Sequence, residues 1–444
     1  MSVELSTAAI GRIRDEAYVR AFGDSVPVTA ADVMPAPAIE VPNVEVMAAP
    51  AAHHHQAKSN TAPLYLLALG TFAIGTEGFM IAGILPKIAG DLQVSVQTAG
   101  ELMAIFALTY AISSPILTTL FGSLNRRRLL IGALGVFAAG NLLAAFAPNY
   151  EMLAAARVLL AISAGLYAPN ATALAGALVH ADHRGRALSI VTGGTSLAVA
   201  LGVPLGAVLG SHLGWRSTFE GVALIAAIAV TGLVIGLPRN IGANLAAASL
   251  RDRLAVVRQP AALLALLVTT LWAMASYTVY TFVAPYAADV LGLSGSALSY
   301  VLFAWGAAAF LGIVAGGAAT DRFGAKRWAA VMLPISAAAL AGLSVFTNLT
   351  TGAALVPVLV AMAVWGFSGW GFFPAQQTRL IGITGPKGAS VAISLNASFM
   401  YLGFSLGAQA GSLTLSHLGV AQLGYAGAAA MMAAFALFLG TRRH

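Results

Sequence analysis

The chain has 444 residues, of which 59% are hydrophobic and only 9% charged, with a formal net charge of +7 and a mean hydropathy of +0.85. Soluble globular chains are about half apolar and a quarter charged, so there is too little charge here to cover a water-facing surface, and lipid must solvate most of the molecule. A pI near 9.8 does not point to nucleic acid, because no basic face with interleaved aromatics is present. The absence of cysteine excludes disulfides and thiolate metal sites.

Residues 1–60 differ in character from the rest of the chain. They are rich in Ala, Pro and Val and hold seven of the sixteen acids (Glu4, Asp15, Glu16, Asp24, Asp32, Glu40 and Glu45). They lack the apolar stretch of a secretory signal. A disordered cytoplasmic tail is expected, with a short helix near Ala8–Ala21. The run His53-His54-His55 could bind a metal, but three adjacent histidines in a flexible tail rarely form a specific site, so no metal site is assigned to it.

From residue 61 onward, apolar runs of about 20 residues, the length that crosses a bilayer core, predict twelve spans. They fall near 63–85, 98–121, 129–147, 151–179, 186–210, 217–237, 261–286, 297–319, 328–347, 353–376, 388–412 and 419–440. An all-α integral membrane fold is expected, with a first half over 61–237, a linker over 238–260 and a second half over 261–444. Sixteen Lys and Arg residues collect on one side of the spans and two, Lys87 and Arg216, on the other. That asymmetry predicts that both termini are cytoplasmic. The linker's Arg239, Arg251, Arg253 and Arg258 suit a segment lying on the inner membrane surface.

Span 1 contains Thr71-Phe-Ala-Ile-Gly-Thr-Glu77-Gly-Phe-Met80, with apolar sequence on both sides of the acid. No other carboxylate lies so clearly within a span: Glu101, Glu220 and Asp289 stand near span ends. An intramembrane ionisable group is by default a functional candidate, and a carboxyl there can take up and release protons near neutral pH. The alternative is a protonated residue that serves helix packing. In span 4, Arg157 costs about 2.5–3.5 kcal/mol on insertion scales. It must either face a partner or snorkel toward the interface beside Glu151.

The two halves repeat. Gly202-Val-Pro-Leu-Gly206-Ala-Val-Leu-Gly210-Ser211 in span 5 recurs as Gly403-Phe-Ser-Leu-Gly407-Ala-Gln-Ala-Gly411-Ser412 in span 11, and Tyr167-Ala-Pro169 in span 4 as Phe372-Phe-Pro374 in span 10. Glycines four apart let helices pack backbone to backbone, and Pro204 bends its helix. Two parallel six-helix halves imply a central site at their interface, served by rocking of one half against the other.

The loop Gly317-Ala-Ala-Thr-Asp321-Arg322-Phe-Gly324-Ala-Lys326-Arg327 resembles the inner-loop signature of the major facilitator superfamily. Asp321 could accept hydrogen bonds from helix N-termini or pair with a base, latching one conformation. Its counterpart Gly122-Ser-Leu-Asn125-Arg126-Arg127-Arg128 is shorter and has Asn125 where an acid is expected, so a charged latch carries less weight there. The span-5 motif, Gly202 with Pro204 and Gly206, resembles the antiporter signature of that superfamily, and Arg157 its span-4 arginine. The resemblance covers about 63–440 and is narrowest to the twelve-helix drug:proton antiporter branch, which includes arabinose-efflux-like permeases. It implies the major facilitator fold, with Glu77 and Arg157 in proton coupling, since related exporters carry an acid in span 1.

The function this implies is proton-coupled export of small organic molecules such as drugs, nucleosides or sugars. The expected setting is a bacterial inner membrane, with protons, a small substrate and lipid as partners, no nucleic acid and a monomeric chain. Substrate contacts are expected from Tyr110, Asn170, Tyr277 and Asn396, chosen among polar and aromatic span residues that also include Trp272, Trp305, Trp365 and Tyr401. A proton symporter and a non-transporting receptor are the alternatives. No cofactor or metal is expected, and GxxxxGK[ST] is missing, which disfavours ATP-driven pumping. His180, His183, His212, His417 and His444 fall at span ends or loops, so no cluster suited to a membrane enzyme is visible.

Overall fold

The computed structural model describes residues 61–180, 183–239, 241 and 249–441. The expected N-terminal tail, with its helix near Ala8–Ala21 and its three histidines, lies outside the described residues, as do Arg442, Arg443, His444 and part of the linker. Among the described residues there is no strand, and twelve helices are long and apolar enough to cross a membrane. They are span 1 Ala62–Asp91, span 2 Val96–Leu120, span 3 Arg126–Ala145, span 4 Tyr150–Ala177, span 5 Arg184–Leu213 and span 6 Trp215–Gly236. The second half holds span 7 Pro260–Tyr280, span 8 Gly295–Phe323, span 9 Ala325–Phe346, span 10 Thr351–Pro386, span 11 Gly388–Leu418 and span 12 Val420–Gly440.

Local chemistry sets the breaks. Ser95, Asn125 and Asn149 cap spans 2, 3 and 4 by accepting the backbone N–H of Thr98, Arg128 and Met152. Gly324, at φ 86°, makes the one-residue turn between spans 8 and 9, and Gly385, at φ 69°, separates spans 10 and 11. Both conformations are strained for any residue with a Cβ. Span 7 stops at Tyr280, short of the expected 286, and a separate helix Val283–Leu291 comes after a break at Thr281 and Phe282. In span 5 the turn Ala198–Gly202 is π-helical, with the Val203 N–H reaching back to the Ala198 carbonyl. That widened turn sits just before Pro204, whose nitrogen cannot donate.

The repeated glycines do the same job in each half. Gly206 and Gly210 of span 5 lie against Met80 and Ile84 of span 1, and Gly202 against Thr76. Gly403, Gly407 and Gly411 of span 11 lie against Thr270, Met274 and Thr278 of span 7. The fold is therefore two six-helix pseudo-repeats, each with a close-packed seam at the same rank.

The linker departs from expectation. Helix Leu250–Val257 starts with a capping box in which Ser249 and Asp252 each bond the other's backbone N–H. Its Arg253 does not lie on a surface. The guanidinium is buried and donates to Thr118 Oγ1 of span 2 (2.9 Å) and Ser394 Oγ of span 11 (2.8 Å). One linker side chain thus ties the two halves together.

Candidate functional site

Span 1 places Glu77 near its middle, between Gly75, which lies against Ala198 of span 5, and Gly78, which leaves space beside Phe106 of span 2. The absence of side-chain bulk on either side of the acid lets neighbouring helices close over it. Glu77 is 0% exposed, and so is Arg157, which reaches it from span 4 to form an ion pair through Nη1 and Oε1. The same guanidinium donates through Nε to the Leu102 carbonyl of span 2 (3.2 Å) and lies 4.2 Å from the centroid of the Phe106 ring. Arg157 therefore has a partner at depth, and the snorkelling alternative is excluded. Burying one of these charges alone would be far more costly than burying both as a pair, and removal of one partner from such pairs costs about 3–5 kcal/mol.

Beside the pair stands an aromatic layer contributed by both halves. Phe79, two residues past Glu77, packs on Tyr277, Tyr280, Trp370 and Phe404, with ring centroids 5.9–6.1 Å apart. Tyr110 of span 2 stacks on Tyr401 of span 11 at 3.7 Å, and Tyr277 of span 7 on Phe404 at 3.7 Å. The Tyr280 hydroxyl donates to the Phe79 carbonyl (3.1 Å). Tyr401 stands 6.3 Å from the Phe106 ring on which Arg157 lies, and Phe404 links it to Tyr277. Aromatic faces and edges of this kind hold planar ligands, and the phenolic hydroxyls add polar handles.

The structure brings Tyr110 and Tyr277 to this layer but not Asn170 or Asn396. Asn170 Oδ1 accepts from Arg126 Nη1 (2.6 Å) and its Nδ2 donates to the Leu166 carbonyl. Asn396 Oδ1 accepts from Thr269 Oγ1 (2.7 Å), which in turn accepts from Gln376. Gln376 also takes a bond from Arg379, whose other nitrogen donates to Thr441. Both asparagines thus belong to buried polar networks nearer the base-rich face. The sequence alone assigns no substrate role to Phe79, Phe106, Tyr401 or Phe404. Tyr401 carries some signal there, as a polar aromatic within a span; a phenylalanine in an apolar helix carries none.

The loop motifs also differ from their expected roles. Asn125 caps span 3 and donates to the Arg239 carbonyl (2.9 Å), and Arg127 donates to Leu237 and Val234 at the end of span 6. The first half is therefore fastened by neutral acceptors, with no acid required at 125. Asp321 is exposed and makes no ion pair among the described residues, so the charged latch is not formed in this conformation. Arg322 lies over Phe323 instead, and Trp328 anchors the loop by donating to the Gly371 carbonyl (2.9 Å). Gly317 faces open space. The glycines that admit span 10 to span 8 are Gly312 and Gly316, which abut the carbonyls of Phe367 and Gly371. Gly122 is buried at the turn after span 2.

Twelve membrane-length helices in two related halves, with a buried acid–base pair and an aromatic layer at their junction, define a multi-pass membrane transporter. The Major Facilitator Superfamily profile matches residues 67–408. The uncharacterized MFS-type transporter YbcL of Bacillus subtilis (strain 168) is 33% identical over 376 residues, covering 85% of this chain and 94% of the relative. A chloramphenicol resistance protein of Streptomyces lividans is 37% identical over 262 residues, covering 59% of this chain and 67% of the relative. A crystal structure of a bacterial homologue of the human lysosomal transporter Spinster, inward-facing and occupied, superposes with a TM-score of 0.71 at 17% identity. It covers 86% of this chain and 96% of that one, a likeness of fold. The chain belongs to the major facilitator superfamily and is a transporter of that family.

Proposed function

We propose that this transporter is a proton-coupled antiporter that exports a small organic molecule from the cytoplasm across a bacterial inner membrane, with its base-rich loops and both termini cytoplasmic. Glu77 carries the proton, Arg157 is its counter-charge, and the aromatic layer holds the cargo. The observation that carries this reading is the sealed Glu77–Arg157 pair, formed between spans 1 and 4 and bordered by rings from both halves. Among the described residues Glu77 is the one buried carboxylate. Protonation of Glu77 would release Arg157, and re-pairing would accompany proton loss. A change of access between the two faces then converts that exchange into work. One proton crossing about 100 mV contributes roughly 2.3 kcal/mol, and each pH unit about 1.4 kcal/mol. The span-5 glycine–proline motif favours export over import, and removal of a drug from the cell is one way to confer the chloramphenicol resistance for which the Streptomyces lividans relative is named.

The test is proton flux on substrate addition. Full-length protein in liposomes holding a pH-sensitive dye is challenged with drugs, nucleosides and sugars, wild type beside Glu77→Gln. A substrate-evoked proton signal that vanishes in the variant is expected. Equal signals in both would remove Glu77 from the coupling role.

A further inference from the structure

We propose that the cargo is an uncharged, ring-bearing molecule with a hydrogen-bond donor and an acceptor side by side, and that it binds by completing the Glu77–Arg157 pair. This rests on the antiport reading of the same site.

The pair is formed by one oxygen and one nitrogen only. Glu77 Oε2 and Arg157 Nη2 are buried and have no hydrogen-bond partner among the described residues. An unsatisfied buried acceptor and donor on one ion pair are an unusual expense for a fold to keep. A molecule that offers N–H or O–H to Oε2 and C=O or O–H to Nη2 satisfies both at once. Primary amides, lactams, imides and neighbouring hydroxyls present that arrangement. The Phe106 ring on Arg157 and the Tyr401 ring beside it supply faces and edges for a planar group there.

The charge of the cargo is set by the charge of the site. The pair is neutral in sum, and the other buried bases are engaged elsewhere: Arg126 with Asn170, Arg253 with Thr118 and Ser394, and Arg379 with Gln376 and Thr441. A fixed cation would have to draw Glu77 away from Arg157, and a fixed anion the reverse. Either leaves a buried charge without its counter-ion. An uncharged donor–acceptor group binds with the pair intact.

The same contact explains why cargo and proton exclude each other. A donor on the cargo needs a lone pair at Oε2. A proton on that carboxyl sets donor against donor there and loosens Arg157, so one carboxyl serves the two ligands in turn. One proton exchanged for one uncharged molecule moves one positive charge per cycle, and the exchange responds to voltage as well as to pH.

The test uses full-length protein in liposomes, with voltage set by potassium and valinomycin. The uncharged probes are chloramphenicol and thymidine; ethidium serves as a fixed cation and salicylate as an anion. An uncharged probe is expected to evoke Glu77-dependent proton flux, with its steady-state gradient shifting about tenfold per 59 mV, while the ions evoke none. Voltage-independent exchange of the uncharged probe overturns the proposal. So does silence with both uncharged probes. If ethidium or salicylate then drives a flux that Glu77→Gln abolishes, antiport stands and the cargo class falls; if no probe does so, both fall. Should Glu77→Gln fail to fold, Glu77→Asp keeps the charge but withdraws both oxygens. It must weaken apparent affinity for the uncharged probe at least tenfold while preserving the voltage response, and an unchanged affinity overturns the contact.

Discussion

In the first half, Gly202, Gly206 and Gly210 of span 5 face side-chain atoms of Thr76, Met80 and Ile84 on span 1. In the second half, Gly403, Gly407 and Gly411 of span 11 face the backbone carbonyls of Thr270, Met274 and Thr278 on span 7. The two segments share six of ten residues, yet at these three glycines one seam closes on side-chain atoms and the other on backbone carbonyls. Farther along span 5, at Gly194 against the Ala68 carbonyl, the first seam also meets backbone. The first seam is also the one with the π-helical turn and Pro204, and it adjoins Glu77 through Thr76. The second seam holds Tyr277, which stands beside Gly407. Duplicated sequence thus gives unequal packing: the repeated segment of the first half meets side chains beside Glu77, and that of the second half meets backbone beside Tyr277.

The largest effect should come from adding one methyl group to the second seam. In Gly407→Ala the new carbon would collide with the Met274 carbonyl and sit 2.9 Å from Tyr277 Cβ and 3.0 Å from the Thr278 nitrogen. With backbone on two sides there is no cheap relief, and overpacking of this kind costs about 3 kcal/mol. A large drop in melting temperature in detergent, or loss of monodisperse protein, is expected. Gly206→Ala is the matched control, since the contact its methyl would strain is Met80 Cβ at 3.1 Å. Equal damage from the two substitutions would remove the contrast between the seams.

Gly202→Ala should fall between them. Its methyl would collide with Thr76 Oγ1, with Thr76 Cβ at 3.0 Å and Cγ2 at 3.1 Å. A side chain can rotate away, so a cost of about 1–2 kcal/mol is expected. Thr76→Ala in the same chain should recover most of it, and a double-mutant cycle on melting temperature reads the coupling. Additive effects would mean that the two residues do not meet.

The contrast between seams is half legible in the amino-acid order. Twelve spans, two halves, the glycine repeat and the isolation of Glu77 all come from hydropathy and residue spacing, because lipid imposes length and apolarity on each helix separately. What each glycine touches depends on the rotation of two helices about their axes, which no single helix encodes. The same limit explains Asn170 and Asn396. Mid-span polarity marks them as needing partners but does not say whether the partner is a ligand, Arg126 or Thr269. Arg157 and Glu77 are separately conspicuous because an intramembrane charge demands a counter-charge. Their pairing requires the geometry of spans 1 and 4. Arg253 is expected on a membrane surface because basic linkers ordinarily lie there, and nothing in its neighbours announces Thr118 or Ser394.

Arg253 offers a smaller, sharper test of how the halves are joined. Arg253→Met keeps much of the stem and loses the bonds to Thr118 and Ser394. Thr118 retains its bond to the Ser114 carbonyl, so the loss should be about 1.5 kcal/mol. Spin labels on spans 2 and 11, at the ends near Thr118 and Ser394, should show a broader distance distribution in the variant. An unchanged distribution would mean that the packing of spans and rings across the junction holds the halves together without this clasp.

The smallest effect concerns the helix that carries Arg253. The Ser249 side chain, and then its backbone N–H, hydrogen-bond to Asp252 and hold its carboxyl below the usual carboxylate range. A group whose folded-state pKa is lowered stabilises the fold above its unfolded value, and that contribution disappears as pH falls through the lowered folded value. The capping box should therefore be intact at neutral pH and loosen only in acid, below about pH 4. Hydrogen exchange at Leu250–Val257, corrected for the intrinsic pH dependence, should accelerate there relative to spans 1 and 7. Asp252→Asn, which cannot ionise, should make that local exchange insensitive to pH. If the wild-type helix opens no faster in acid, the cap does not govern its stability. Arg253 would then be held in place by its partners on spans 2 and 11, making the clasp a property of the two halves rather than of the linker.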